Sequence, residues 1–519
     1  MKSNLYKTTV MIAVITIFSK LAGFLRDVVI AKCYGTTLVS DAYFYAYQFP
    51  ALAIILLGGL GGPFHTATVS VFSKLIPDVE KKPEINVQRL FNTFVTLTGI
   101  VFLIFSLLFF FFAPQIIDFI AQAGSSQLKF LAVEHLRIMS PMIFIGGIIG
   151  IFYGISNVYK EFFYTSLSPT ILSFVVIAAL LLLPVDKSGL VLAYATLAGA
   201  IGQLLIQLPV FAKIGFSYYP KLFLNDDNLK NIGEILFPAM LGTTIGQINI
   251  YVDMFFTSGL EEGAWSAIGY ANRVFQFPVG VLITAMLVPL FPMFSSFVGK
   301  QDFGSLRKYF HEGLNSLWFL AFPLTAFCLI FTQDIIAILF QRGAFGLNAT
   351  LMVSEAMFYI TLSMIPYMAR DTLTRVFYAF NDSRTPFVIA FFSIAVKFIT
   401  NYLFVKSMGI GGIMLSTTMV TIFNATLLAF LIRKKIGLNY LKFATPVVKI
   451  FFATMIMSGV AILANIFFIY LHPEHTIIFL IVKLTIITVL CAIVYFLLSL
   501  KLKLSPAVMI INKIKTRQM

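Results

Sequence analysis

Several charged side chains occur in stretches of the chain that otherwise consist mainly of apolar residues, and four of them are candidates for binding a ligand. They are Lys20 and Arg26 in SKLAGFLRDVV, Asp41 shortly afterwards, and Arg273 in a later apolar stretch. An ionised side chain at the centre of a bilayer costs at least about 2.5 to 3.5 kcal/mol, so such residues usually face a partner or a water-filled cavity. If Asp27 and Asp41 neutralise two of the three cations, a positive charge remains. This balance favours an anionic ligand.

The composition identifies the environment of these charges. The chain has 519 residues, of which 59% are hydrophobic and 11% charged, whereas about 25% of residues are charged in an average soluble domain. We therefore expect an integral membrane protein. The three cysteines, Cys33, Cys328 and Cys491, are too far apart to indicate a disulfide or a metal site. The formal net charge of +15 is explained by loops that remain in the cytoplasm, and no nucleic-acid partner is expected.

A transmembrane helix needs about 20 largely apolar residues, and the sequence predicts fourteen such spans between residues 8 and 500. If the N-terminus is cytoplasmic, about 23 Lys and Arg residues lie in inside segments and about 5 outside. Both termini are therefore predicted to lie in the cytoplasm.

An internal repeat indicates how the spans are organised. YQFP begins at Tyr47 and FQFP at Phe275, whereas FYGISN begins at Phe152 and FYAFND at Phe377. Both pairs have nearly the same offset, about 225 to 228 residues. The repeat predicts an all-α polytopic fold with two pseudo-symmetric six-helix lobes and two additional C-terminal helices, like transporters built from parallel repeats.

The predicted domains follow from this repeat. They are an N-terminal lobe at 1–214, a cytoplasmic linker at 215–231, a C-terminal lobe at 232–436, a pair of helices at 445–502 that forms a groove for a lipid tail, and a basic cytoplasmic tail at 503–519.

Other polar residues have structural interpretations. Arg370, Arg375 and Lys483 are predicted to anchor helix ends or to form ion pairs within a lobe. A membrane-embedded enzyme would need clustered carboxylates or histidines, but the five histidines are scattered. His472 and His475 are predicted to lie in a short loop and not in a metal site. We therefore predict no catalytic residues and no metal.

Three motifs then carry a family resemblance. SKLAGFLRD, SDAYFYAYQFP and SAIGYANRVFQFPVGVL resemble the lipid II flippase (MurJ/MviN) family of bacterial cell-wall synthesis. This family is a branch of the multidrug/oligosaccharidyl-lipid/polysaccharide (MOP) exporter superfamily. The resemblance implies a multi-pass protein of the bacterial inner membrane that moves lipid II, the lipid-linked peptidoglycan precursor, to the outer leaflet by alternating access. It also implies that Arg26, Asp41 and Arg273 bind substrate, and that Lys20 replaces an arginine that is usual in the family.

The chain departs from the family pattern at two places. After Phe49 and Pro50 the family commonly carries arginines and an acidic-glycine stretch, whereas this chain has ALAIILLGGLGGPFHTA. Some members also resemble a sodium-binding design, with which three residues agree: Asp253, Asn401 and Thr417. Lys397 stands where a neutral ligand would be. An ammonium group there is expected to pair with Asp253 and replace the ion, so we predict no bound sodium and no cofactor, with the membrane potential as the driving force.

The resemblance implies lipid II and membrane lipids as binding partners, the cell-wall synthesis machinery as a candidate partner, and a monomer. The nearest alternative is another MOP exporter, either a flippase for a different polyprenyl-linked oligosaccharide or a drug/cation antiporter. A drug exporter would need proton-coupled acids in the cavity and no final pair of helices. A passive channel or scaffold is a further alternative, which the duplicated lobes and central cations disfavour.

Overall fold

The computed structural model describes residues 2–76, 82–471 and 476–518, and every regular element in these ranges is a helix. The all-α prediction is therefore confirmed. The predicted loop at His472 and His475 lies outside the described residues.

The chain divides into two compact units. The first contains residues 1–266 and 342–345, and the second contains 267–341 and 346–519. The helices that begin in the first unit are α1 (Lys2–Tyr34), α2 (Leu38–Ala51), α3 (Pro63–Leu75), α4 (Ile85–Phe111), α5 (Ala113–Ile120), α6 (Ser126–Met139), α7 (Pro141–Val158), α8 (Phe162–Leu182), α9 (Leu190–Leu205), α10 (Leu208–Ile214), α11 (Asp227–Thr257) and α12 (Ala264–Leu282).

The second unit holds most of α12 and all later helices. These are α13 (Val288–Gly299), α14 (Phe303–Ile330), α15 (Thr332–Phe340), α16 (Leu347–Thr361), α17 (Met364–Ala379), α18 (Arg384–Ile436), α19 (Leu441–Leu471), α20 (Ile477–Lys501) and α21 (Ser505–Gln518). The last long helices, α19 and α20, pack against α14 and α15 through a core that includes Phe319, Phe331, Met457 and Ile487. The predicted lobe and linker boundaries remain a prediction.

The order of helices repeats along the chain, as the sequence motifs predict. A long helix, a short helix and a pair of helices separated by a break occur at α4 to α7 and again at α14 to α17. A π-helical turn also interrupts the chain shortly after each Gln-Phe-Pro motif, at Leu52–Leu57 and at Ile283–Leu287. Such turns contain an extra residue and often mark functional distortions of a helix. The duplication is therefore visible in local backbone geometry.

The predicted number of fourteen spans is not confirmed. Within the described ranges, ten helices are long and apolar enough to cross a membrane, or eleven if α16 and α17, bent by 48°, form one span. Neither α1 nor the pieces of the interrupted second span are in that count. The predicted spans 386–407 and 410–433 correspond to the two helical segments of α18, which meet at a kink at the non-helical residue Gly409. The chain folds back at this kink, because Lys397 and Thr417 on either side of it are hydrogen-bonded, whereas residues 20 positions apart in one continuous helix would be about 30 Å apart.

Candidate substrate-binding residues

Arg26 and Asp27 form a buried ion pair in α1. Nε and Nη2 of Arg26 donate to Oδ1 of Asp27 at 3.2 and 3.0 Å, and the two side chains are 11% and 2% exposed. The stacked phenols of Tyr43 and Tyr47 lie within electrostatic range of Arg26. A guanidinium carries five N–H donors, and these two bonds use only one of its edges. Arg26 is therefore suited to bind a second anion beside Asp27.

Lys20 has a different environment from Arg26. Both lie in α1, which packs along α8, but Lys20 is exposed and Arg26 is buried. Gly23 lies between them without contact closer than 4.0 Å from an added Cβ to another helix. The sequence predicts a common role for the two cations, and the structure gives only Arg26 a fixed, buried partner among the contacts described here.

Asp41 joins two elements of the first unit through backbone hydrogen bonds. Its Oδ2 accepts from the Gly263 N–H at 2.8 Å, and its Oδ1 accepts from the Ser266 N–H at 2.7 Å. Ser40 Oγ lies 3.2 Å from Ser266 Oγ and extends this contact. The first N–H groups of a helix have no partner within the helix, so Asp41 acts as the acceptor for the beginning of α12. This contact assigns Asp41 a positioning role in the fold.

Arg273 lies further along α12 and is partly buried. It belongs to the second compact unit, whereas Lys20, Arg26 and Asp41 belong to the first. The assembly of these four residues into one substrate site remains a prediction.

The expected ion or charge-pair site is built around Lys397 in α18. Its Nζ donates to Oγ1 of Thr417 at 2.5 Å and to the carbonyl oxygen of Ile413 at 3.3 Å. Lys397 is 2% exposed and Asn401, one turn later, is fully buried. The structure thus brings Lys397 and Thr417 together, and the predicted pairing of Lys397 with Asp253 stays a prediction. Asp253 is also buried but belongs to the first unit.

Residues 30–513 match the family model described as lipid II flippase MurJ. This chain belongs to the MurJ family. The matched segment includes Asp41 and Arg273 and begins after Lys20 and Arg26. The probable lipid II flippase MurJ of Synechocystis sp. is 33% identical over 439 residues, covering 82% of this chain and 80% of the relative. The lipid II flippase MurJ of Burkholderia cenocepacia is 26% identical, covering 83% and 84%.

Solved structures share the fold. A lipid II flippase MurJ in an inward closed conformation has a TM-score of 0.76 at 23% identity, covering 94% of this chain and 98% of that chain. A multidrug resistance MATE family transporter of the MOP superfamily, in an inward-facing conformation, has a TM-score of 0.65 at 13% identity, covering 82% and 98%. The chain therefore shares the fold of these two structures, and its membership of the MurJ family identifies it as a polytopic membrane transporter.

The glycine-rich run in the interrupted second span packs closely against a neighbouring helix. A Cβ added to Gly58 would lie 2.0 Å from the carbonyl oxygen of Gly146 in α7, and one added to Gly150 would lie 2.7 Å from Cβ of Phe64. Small residues allow membrane helices to approach closely. Glycines on both segments therefore hold the interrupted span directly against α7.

Sequence reasoning missed a role for His65 and interpreted one of three other charges correctly. His65 Nδ1 accepts from the Gly61 N–H at 3.2 Å, and its Nε2 lies 2.6 Å from Nδ2 of Asn157 in the motif FYGISN. The duplicated motif was the available signal for this contact. The predicted ion pair within a lobe is confirmed for Arg375, which pairs with Asp371 at 3.3 Å. Arg370 lies 4.0 Å from the Tyr367 ring centroid. Lys483 pairs with Asp334 at 2.6 Å, which joins α20 to α15 of the predicted C-terminal lobe, so the prediction of a pair within one lobe is wrong for Lys483.

Proposed function

We propose that this protein translocates lipid II, the lipid-linked peptidoglycan precursor, from the inner to the outer leaflet of the bacterial cytoplasmic membrane. Its membership of the MurJ family supports this substrate. The structural observation that carries the proposal is Arg26, a cation buried in the apolar helix α1 beside Asp27. Moving the polar headgroup through hydrocarbon unaided is prohibitive, because each unpaired polar group costs several kcal/mol. A hydrated cavity lined by cations avoids this cost.

In this mechanism, Arg26, Lys20 and Arg273 bind the pyrophosphate of the headgroup. Hydrogen bonds between a guanidinium and phosphate oxygens are charge-assisted and can be bidentate. Lys20 contributes charge without a planar fork, so it gives less directional binding than an arginine. Asp41 positions the beginning of α12, the helix that carries Arg273. The isoprenoid tail remains in lipid along a groove formed partly by α19 and α20, while the two lobes alternate between inward-open and outward-open states.

The membrane potential can drive this cycle. A charge that crosses the full field gains about 2.3 kcal/mol per 100 mV. With the inside negative, an anionic headgroup moves outward downhill, and an empty cationic cavity returns inward downhill. Lys397 provides a resident positive charge in place of sodium, held by Thr417 and the carbonyl of Ile413. Collapsing the potential at constant ion gradients should slow turnover, and an unchanged rate would contradict this driving force.

The positive charge of the loops supports an orientation with both termini in the cytoplasm. The protein is proposed to act as a monomer, with lipid II and membrane lipids as its binding partners.

The test is the appearance of lipid II on the outer face of bacterial cells whose own flippase is switched off. We expect the parent to restore outer-face lipid II, and Arg26→Ala and Arg273→Ala to fail at matched expression. Arg137→Ala removes a cation that is exposed in α6 and serves as the control that should still restore it. Failure of the correctly inserted parent would point to a different polyprenyl-linked substrate. Rescue by both arginine variants would assign those cations structural roles.

A further inference from the structure

A cavity of about 560 Å³ lies entirely within the second unit, between the end of α14, helices α15 and α16, and the C-terminal helices α19 and α20. This volume falls in the range of pockets that bind small molecules, about 300 to 1,000 Å³. The substrate residues proposed above do not line it. The cavity therefore requires its own explanation.

A buried ion pair forms one wall of this cavity. Lys483 Nζ in α20 lies 2.6 Å from Oδ2 of Asp334 in α15 and donates to Oδ1 of Asn465 in α19 at 3.1 Å. The Lys483 side chain is 2% exposed, whereas that of Asp334 is 21% exposed. Two charges are retained in this position although burying such a pair usually gives little net stability compared with apolar residues. A ligand that uses both charges would account for their presence.

Helix α16 supplies a second polar wall. Ser354 is 5% exposed, and its Oγ has no hydrogen-bond partner among the described residues. Glu355 also lines the cavity, and its Oε1 accepts from the Gly411 N–H at 3.2 Å. Buried hydroxyl groups are nearly always hydrogen-bonded in native proteins. The unpartnered Ser354 hydroxyl therefore points independently to a polar ligand in this cavity.

The rim of the cavity is apolar and exposed. Leu347, Leu351 and Phe358 of α16 are 62%, 45% and 41% exposed, and Ile469 of α19 is 43% exposed. In a membrane transporter such side chains meet acyl chains, because only apolar surface is favourable against hydrocarbon. The cavity thus combines a polar interior with a border suited to lipid, which favours a lipid headgroup over a water-soluble ligand.

We propose that this cavity binds the headgroup of a zwitterionic aminophospholipid of the phosphatidylethanolamine class. The phosphate would bind Lys483 and the Ser354 hydroxyl, while the primary ammonium would bind Asp334 and Glu355. Two carboxylates and one ammonium give these walls a formal charge of −1, which disfavours a purely anionic headgroup. A zwitterion can separate the Lys483–Asp334 pair, because its phosphate replaces the carboxylate as the partner of Lys483 and its ammonium replaces the lysine as the partner of Asp334. This binding site is independent of lipid II translocation.

The test uses the full-length protein, purified in detergent and stripped of lipid, with lipid retention measured by native mass spectrometry. Phosphatidylethanolamine, phosphatidylcholine and phosphatidylglycerol are added separately. We expect about tenfold greater retention of phosphatidylethanolamine, because a trimethylated ammonium cannot donate a hydrogen bond and glycerol supplies no cation. Equal retention of phosphatidylethanolamine and phosphatidylcholine would overturn the proposal.

Three variants distinguish this site from general lipid adhesion. Asp334→Asn with Lys483→Met removes both charges together and should abolish the preference. Lys449→Met is the control: it removes a lysine of α19 that does not line the cavity and whose Nζ donates to the Leu502 carbonyl. This variant should keep the preference for phosphatidylethanolamine. Loss of preference in Lys449→Met, or its persistence in the double variant, would contradict the proposal. If the double variant does not fold, Ser354→Ala tests the site, because it preserves the ion pair. It should lower the retention of phosphatidylethanolamine severalfold, and unchanged retention would overturn the proposal.

Discussion

Arg26 and Asp41 are both buried charges of the first unit, but they are bonded to different kinds of groups. Arg26 donates to the side chain of its neighbour Asp27. Asp41 accepts from the backbone N–H groups of Gly263 and Ser266. The family resemblance places both residues among those that bind substrate, whereas the contacts separate them.

The two contacts differ in whether a ligand can replace or share the partner of the charged group. A side chain can reorient to share its partner with a ligand, and a guanidinium has enough donors to bind two anions. Backbone N–H groups at the beginning of a helix are fixed by the fold and need an acceptor. Arg26 is therefore suited to a changing ligand, and Asp41 to holding α12 in place. Each prediction below separates these two roles.

Arg26→Ala should give the largest loss of transport. A charge-assisted bond to phosphate is worth about 1.5 to 3 kcal/mol, so the loss of one such bond corresponds to about 10- to 150-fold slower lipid II flipping at low substrate concentration. Flipping would be measured with labelled lipid II in reconstituted vesicles.

Arg26→Lys provides the matched comparison, since it retains the charge and loses the bidentate geometry. We expect its rate to lie between those of the parent and Arg26→Ala. If the alanine variant flips lipid II at the parental rate, Arg26 does not bind substrate and, like Asp41, serves the fold.

Asp41→Ala should act mainly on stability. It leaves the N–H groups of Gly263 and Ser266 without their acceptor, and such losses at a helix beginning cost about 2 to 4 kcal/mol together. The midpoint of thermal unfolding in detergent should fall accordingly. Ser266→Ala retains the backbone N–H that binds Asp41 and should change the midpoint much less. An unchanged midpoint in Asp41→Ala, together with lost transport, would place Asp41 with the substrate residues.

These contacts explain how far sequence reasoning could reach. Apolar runs predicted the all-helical fold, and the two Gln-Phe-Pro motifs predicted a repeat that the paired π-helical turns display. The partner of Asp41 lies more than 200 positions away in the chain, and its bonds go to backbone groups that any residue type can supply. No residue pattern at Gly263 or Ser266 could indicate this contact.

The predicted boundary between spans 386–407 and 410–433 agrees with the kink at Gly409 of α18. The limit does apply to the glycine-rich run. Gly58 and Gly146 are distant in sequence, and their close approach depends on how the interrupted span meets α7. Local composition indicated a flexible or closely packed segment there but could not name the neighbour.

Lys20→Ala should have a smaller effect than Arg26→Ala. Lys20 is exposed, and water screens an exposed charge, so its contribution is at most about 1 kcal/mol, or roughly fivefold in flipping rate. Raising the salt concentration should reduce the difference between parent and variant, because screening weakens exposed charges most. A loss as large as that of Arg26→Ala, unaffected by salt, would show that Lys20 binds substrate in an enclosed site.

Replacing sodium with potassium should leave the parental flipping rate within about twofold, the smallest effect predicted here. Lys397 already places a positive charge beside Thr417, and a second cation at that position would meet like-charge repulsion. Lys397→Asn removes the ammonium and supplies a neutral oxygen ligand of the type that binds hard cations, so this variant should gain a sodium dependence that the parent lacks. Sodium stimulation of the parent would mean that Lys397, like Asp41, serves to hold helices together, and that the coupling ion binds elsewhere.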